Sequence, residues 1–101
     1  MKNLEEIKEI IKNHKKELKE KYKVKSIAIF GSYVRGEQKE ESDLDLLVEF
    51  EEPVSLLHIV SVENYLSDIL GIKVDLILKK NIREELREII IKEATFVWKE
   101  T

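Results

Sequence analysis

Three short apolar runs, VKSIAIF (24–30), DLDLLVEF (43–50) and KVDLIL (73–78), each stand between segments of helical periodicity. Such runs, rich in β-branched and aliphatic residues and bounded by Gly, Pro and charged residues, predict buried strands. Ahead of them, Leu4, Ile7, Ile11, His14 and Leu18 recur at spacings of three and four, which predicts one amphipathic helix over residues 3–21. Ser32 is placed to N-cap a short helix over 33–38. Pro53 stops the second strand, and Ile59, Val62, Leu66 and Ile69 predict a helix over 54–70 that closes at Gly71. Asn81 followed by Glu84 has capping-box spacing and predicts a last helix over 82–92. The tail TFVWKE fits an extension of that helix or a short strand equally well. The order α-β-α-β-α-β-α, without repeat or linker, predicts an α/β chain in which helices cover a small sheet, one domain over residues 1–101.

Composition narrows the function classes. Eighteen basic and 21 acidic residues give a net charge of -3 and a pI near 5.5. That balance argues against direct nucleic-acid binding, which calls for a basic stripe, but leaves room for a local phosphate site. The absence of cysteine excludes disulfides and thiolate metal sites, and a reducing cytoplasm is the expected setting. The N-terminal MKNLEEIKEIIKNHKKELKE has no apolar signal core. No segment approaches the roughly 20 apolar residues that span a bilayer, so no membrane association is expected.

The second strand opens with two aspartates. Side chains alternate along a strand, so Asp43, Asp45, Leu47 and Glu49 share one face, and Leu44, Leu46, Val48 and Phe50 the other. Asp43 and Asp45 would lie about 6.6 Å apart at Cα, close enough to converge on one ion. Asp75 repeats the pattern as a lone carboxylate in the third run. If the second and third strands are neighbours, the three aspartates can meet, and they would repel one another unless a cation lies between them. Hard oxygen ligands of this kind select Mg²⁺ or Mn²⁺ over zinc. The plain alternative, that each Asp is a turn or cap residue, suits Asp43. It suits Asp45 and Asp75 poorly, because strand interiors disfavour Asp.

Gly31-Ser32 follows the first strand directly. A strand that turns there into a helix points backbone N–H groups at a docking anion. Gly31 permits close approach of a phosphate, the Ser32 hydroxyl can donate to it, and Arg35 one turn on can add charge. Gly31 and Gly36 match the outer glycines of a P-loop, but Glu37-Gln38 stand where that loop needs Lys-Ser/Thr, so the P-loop reading fails.

Gly31-Ser32, ten residues, then Asp43-x-Asp45 resembles the signature of the nucleotidyltransferase superfamily that includes DNA polymerase β. The fuller GSYVRGEQKEESDLDLLVEF is similar to minimal nucleotidyltransferase (MNT) domains, with Val34 where a small residue is usual and Asp75 where the third carboxylate falls. The resemblance covers nearly the whole chain and implies the nucleotidyltransferase fold, a small mixed sheet of three or four strands flanked by helices. It implies that Asp43, Asp45 and Asp75 hold two Mg²⁺ ions, that Asp75 helps deprotonate an attacking hydroxyl, and that Gly31 and Ser32, with Arg35, bind the phosphates of ATP. Arg35 can instead pair with Glu37 or another acid.

MNT domains are commonly encoded beside HEPN-domain proteins, many of them RNase toxins. The resemblance therefore implies an antitoxin that AMPylates a tyrosine of a HEPN partner, and an oligomer with that partner is a further expectation. The competing expectations are a non-catalytic antitoxin that acts by complex formation, and nucleotidyl transfer to RNA or a small molecule. Two features bear on a partner surface: Leu57, His58 and Tyr65 lie off the main stripe of the 54–70 helix, and the tail carries Phe96, Val97 and Trp98. Core burial is the plainer expectation for both. His14, on the first helix stripe, is expected at the edge of the core.

Overall fold

In the computed structural model, which describes residues 2–99, the three apolar runs are strands of a single four-stranded sheet. They are β1 (Val24–Phe30), β2 (Leu44–Phe50) and β3 (Val74–Leu78), and the undecided tail supplies β4 (Thr95–Lys99). The spatial order is β3-β2-β1-β4. β1 is antiparallel to both β2 and β4, and β2 is parallel to β3, so the sheet is mixed. Five helices flank it: α1 (Leu4–Asn13), α2 (Lys15–Glu20), α3 (Ser32–Arg35), α4 (Leu56–Leu70) and α5 (Glu84–Glu93).

The expected helix over 3–21 is two helices. His14 leaves helical geometry at φ -109° and ψ 13°, its N–H bonds Ile11 O, and its ring Nδ1 lies 2.8 Å from Ile10 O. The stripe survives the break, because Ile7, Ile11 and Leu18 are all buried. The start of α1 is secured by a capping box between Asn3 and Glu6. The start of α5 differs from expectation. Lys79–Asn81 forms a 3₁₀ turn, and Arg83 precedes α5 without a side-chain cap, so Asn81 and Glu84 form no capping box.

The larger core lies between α1, α2 and α4 and the sheet face carrying Ile27, Ile29, Leu44, Leu46 and Val48. The opposite face holds a smaller cluster of Ala28, Leu47 and Ile82, with Ile90, Ala94 and Phe96 packed against it. Leu47 therefore sits with the aspartate face, as strand alternation requires. Val97 and Trp98 are buried, as the plainer reading of the tail expected. On α4 the outcome is divided: His58 and Tyr65 are half-buried, whereas Leu56 and Leu57 are 75% and 80% exposed.

Helix α4 crosses from β2 to β3 and fixes where β3 lies. Ser67 Oγ accepts from Val74 N at 3.1 Å, and Glu63 Oε2 accepts from Leu76 N at 3.0 Å. These side chains occupy the outward amides of an edge strand, which otherwise invite pairing with another chain. Ser55 caps α4, accepting from His58 N at 3.1 Å. Loss of this bond in Ser55→Ala is expected to lower stability by about 1 kcal/mol, read from chemical denaturation. No helix of the described residues is long and apolar enough to cross a membrane.

Candidate active site

The parallel pairing of β2 with β3 sets Asp45 directly beside Asp75. Neighbouring strands lie about 4.8 Å apart, and paired positions share a face, so these two carboxylates rise together from adjacent backbones. Asp45 is half-buried and Asp75 exposed. Asp43 lies one residue before β2 and is exposed, yet its charge acts on both Asp45 and Tyr33. The sequence alone left the adjacency of these strands open. The register supplies it for Asp45 and Asp75, with Asp43 at the rim. Among the described residues, no three carboxylate or imidazole side chains are already gathered into a metal-binding group.

The end of β1 lies against this acidic pair. Phe30 is in register with Asp45, and Gly31 follows at φ 82° and ψ -151°. A Cβ at Gly31 would collide with Asp45 Oδ2, so the turn rests directly on the carboxylate. Two conditions thus demand glycine here, a left-handed backbone and the absence of a side chain. Ser32 is the first residue of α3 and Gly31 its cap, so Ser32 is not the N-cap that its type suggested. Among the described residues, the Ser32 hydroxyl makes no hydrogen bond. The helix is shorter than expected because Gly36 turns left-handed at φ 72° and closes it.

The Gly31 amide is already engaged. It donates to Glu93 Oε1 at 2.8 Å, and Arg35 Nη1 donates to the same oxygen at 2.7 Å. Arg35 Nε donates to Glu37 Oε1 at 2.6 Å, so Arg35 pairs with Glu37 and with a second acid, Glu93, at once. Glu93 escaped the sequence reading. It lies 62 residues from Gly31, at the end of a charged helix, and no local spacing distinguishes it from Glu84, Glu85 or Glu88.

Charge crowding shows in Asp45. Burial first, then the charges of Asp75 and Asp43, raise its carboxyl above the ordinary range; Glu93 adds to this and Arg35 opposes it. The folded chain therefore keeps this proton at pH values where the unfolded chain has lost it. The associated stability falls as pH climbs from the ordinary carboxyl value through the raised one. Asp45→Asn is thus expected to stabilise the metal-free fold at neutral pH by about 0.5–1 kcal/mol, the low part of the range for relieving charge repulsion at a partly solvated site. Thermal melts should show the gain at neutral pH and its disappearance below the ordinary carboxyl range.

Neither histidine joins the site. His58 Nε2 lies 2.6 Å from Tyr22 O, and its ring packs on Phe50 and Tyr22. His14 packs edge-on against Tyr65, whose hydroxyl donates to Glu17 and is pushed up to about 12 by burial and that bond.

Residues 11–97 match the family described as "Nucleotidyltransferase domain". An inferred protein adenylyltransferase of Methanocaldococcus jannaschii is 70% identical over 82 residues, spanning 81% of this chain and 84% of the relative. The protein adenylyltransferase MntA of Thermococcus cleftensis is 47% identical over 97 residues, spanning 96% and 98%. Among solved structures, a chain of a toxin–antitoxin crystal structure with AMP-PNP matches with a TM-score of 0.73 at 23% identity, covering 94% of this chain and 74% of that one. A structure of a tri-AMPylated Shewanella oneidensis HEPN toxin in complex with MNT antitoxin matches with a TM-score of 0.65 at 19% identity, covering 91% and 72%. At these identities the two structural likenesses concern the fold.

Proposed function

The chain belongs to the nucleotidyltransferase domain family, and we propose that it transfers AMP from ATP to a tyrosine hydroxyl of a HEPN-domain toxin, for which it serves as antitoxin. The observation that carries the chemistry is the pairing of Asp45 with Asp75 beneath the Gly31-Ser32 turn. The choice of acceptor draws on relatives named protein adenylyltransferases and on the fold shared with a chain from a complex of a tri-AMPylated HEPN toxin with MNT antitoxin.

The donor set suits Mg²⁺. Asp43, Asp45 and Asp75 offer hard oxygens only, and burial together with the charges of Asp75 and Asp43 raises the Asp45 carboxyl, a crowding that a bound cation would relieve. Asp43 and Asp45 would hold the ions together with triphosphate oxygens, and Asp75 would complete the set. When bound, Mg²⁺ lowers the charge of the nucleotide and stabilises the oxygens that enter and leave at phosphorus. The Ser32 hydroxyl, at the Gly31-Ser32 turn, has no hydrogen-bond partner among the described residues and is suited to donate to a β- or γ-phosphate oxygen. Asp75, exposed on the edge strand β3, would take the proton of the acceptor hydroxyl. As the acceptor O–P bond forms at the α-phosphorus, the bond to the β-phosphate oxygen breaks and pyrophosphate departs.

Incubation of the protein with α-labelled ATP, Mg²⁺ and a candidate HEPN-domain partner tests this reading. Label should pass to the partner, chelation of Mg²⁺ should stop it, and substitution of the accepting tyrosine by phenylalanine should remove it. Label that appears on RNA or on a small molecule, and never on the partner, would overturn the assignment of the acceptor.

A further inference from the structure

We infer that Glu93 is a positioning residue for nucleotidyl transfer, and that Arg35 acts through Glu93 rather than as a separate phosphate ligand. This rests on the proposed reading of the site. A single carboxylate oxygen, Glu93 Oε1, accepts from the Gly31 amide and from the Arg35 guanidinium. Those donors flank α3 on both sides, because Gly31 is its cap and Arg35 its last residue. Glu93 thus ties the whole Gly31–Arg35 segment to the far end of the chain, where α5 hands over to β4.

The tie has a direction. Gly31 rests against Asp45, and its backbone is held in a conformation that few residues adopt. A short helix such as α3, only four residues long, lacks the internal bonds to hold such a turn by itself. The charge-assisted bond from Gly31 N supplies that hold and keeps the Ser32 hydroxyl at a set distance from Asp45 and Asp75. Arg35 has a second task in this cluster. Glu93 would otherwise add an unmatched negative charge beside three aspartates, and the guanidinium, shared with Glu37, balances it.

The geometry also explains why Gly31 itself offers no free amide to a phosphate. Its N–H is spent on Glu93, and the hydroxyl of Ser32 remains as the unengaged donor at the turn. Since small misplacements of binding groups lower rates steeply, loss of the tie should act on the nucleotide.

Glu93→Ala, Glu93→Gln, Arg35→Ala and the Arg35→Ala/Glu93→Ala double variant test the inference by steady-state transfer with ATP varied. Glu93→Ala should raise KM for ATP and lower kcat, with kcat/KM down on the order of 10–100-fold. Glu93→Gln keeps an oxygen for the Gly31 amide and should recover much of that loss. The double variant should be no worse than the poorer single variant, because both residues serve one contact. A KM for ATP that stays constant or falls in Glu93→Ala would overturn the inference, as would additive losses in the double variant. Hydrogen exchange at the Gly31 amide gives a reading independent of activity. It should quicken in Glu93→Ala while amides of β1 and β2 stay protected, and an unchanged rate would show that Glu93 does not hold the turn. If the wild-type chain bound no ATP, the functional reading would fall and Glu93's role in transfer with it, while the exchange data would still decide whether the turn is tied.

Discussion

Replacing Asp43 and Asp45 together by alanine is expected to abolish transfer while the fold persists. The two side chains differ in place but share a task. Asp45 is half-buried against Gly31 and paired with Asp75, whereas Asp43 is exposed at the mouth of β2. Neither contributes to either hydrophobic cluster, so their loss opens no core cavity. Removing them relieves the repulsion that lifts the Asp45 carboxyl, so the double variant should melt no lower than wild type at neutral pH. The loss in turnover should be at least on the order of 10²–10³-fold, the scale set by removing one preorganised electrostatic partner of a transition state, and here two are removed. Transfer of labelled nucleotide and thermal melts, measured on one preparation, separate the two effects. A double variant that is both folded and fully active would contradict the assignment of the site to these carboxylates.

Gly31→Ala should damage both the fold and the reaction. The backbone at φ 82° and ψ -151° lies where L-residues are strained by about 1–3 kcal/mol. The new methyl would also meet Asp45 Oδ2, and Asp45 Cγ and Cβ stand behind it at 3.2 and 3.4 Å. The turn must then shift, which breaks the Gly31–Glu93 bond and moves Ser32 away from the carboxylates. Denaturant midpoints should fall by an amount that reflects at least the strain, and transfer should fall with them even under conditions where the variant is fully folded. Gly36→Ala makes a useful contrast. Gly36 is also left-handed, at φ 72°, but nothing lies within reach of an added Cβ, so only the backbone strain is expected there.

The fold was legible to the extent that its periodicities were unbroken. The β-rich runs and the α4 stripe announced themselves, and three of the four strands lay where apolar runs end at Gly, Pro or charge. The break at His14 left no mark, because it keeps both Ile11 and Leu18 buried and so preserves the pattern. TFVWKE was ambiguous since a half-buried edge strand and a helix end carry the same apolar residues; pairing of Thr95–Lys99 with β1 settles it as a strand. Asn81 misled because a capping box needs the helix to begin at the very next residue, whereas Asn81 ends a 3₁₀ turn and α5 begins only at Glu84, after Arg83.

The site was legible in its local parts alone. Asp43, Asp45 and Asp75 stood out as charges at or within strands, and Gly31 as a glycine at a strand end. Their juxtaposition depends on the register of β2 with β3 and of β1 with β2, which no spacing along the chain encodes. Glu93 is the clearest case. Its importance comes from meeting Gly31 and Arg35 across 62 and 58 residues, and a glutamate in a charged helix gives no sign of that.

Intact-mass spectrometry of a candidate HEPN-domain partner, after incubation with this protein, ATP and Mg²⁺, bears most directly on the central claim. The account requires the partner to gain the mass of one or more AMP groups, placed on tyrosine by fragmentation, and to gain nothing with the Asp43→Ala/Asp45→Ala variant. A partner of unchanged mass beside a wild-type chain that binds ATP and Mg²⁺, or an equal gain with the variant, would contradict it.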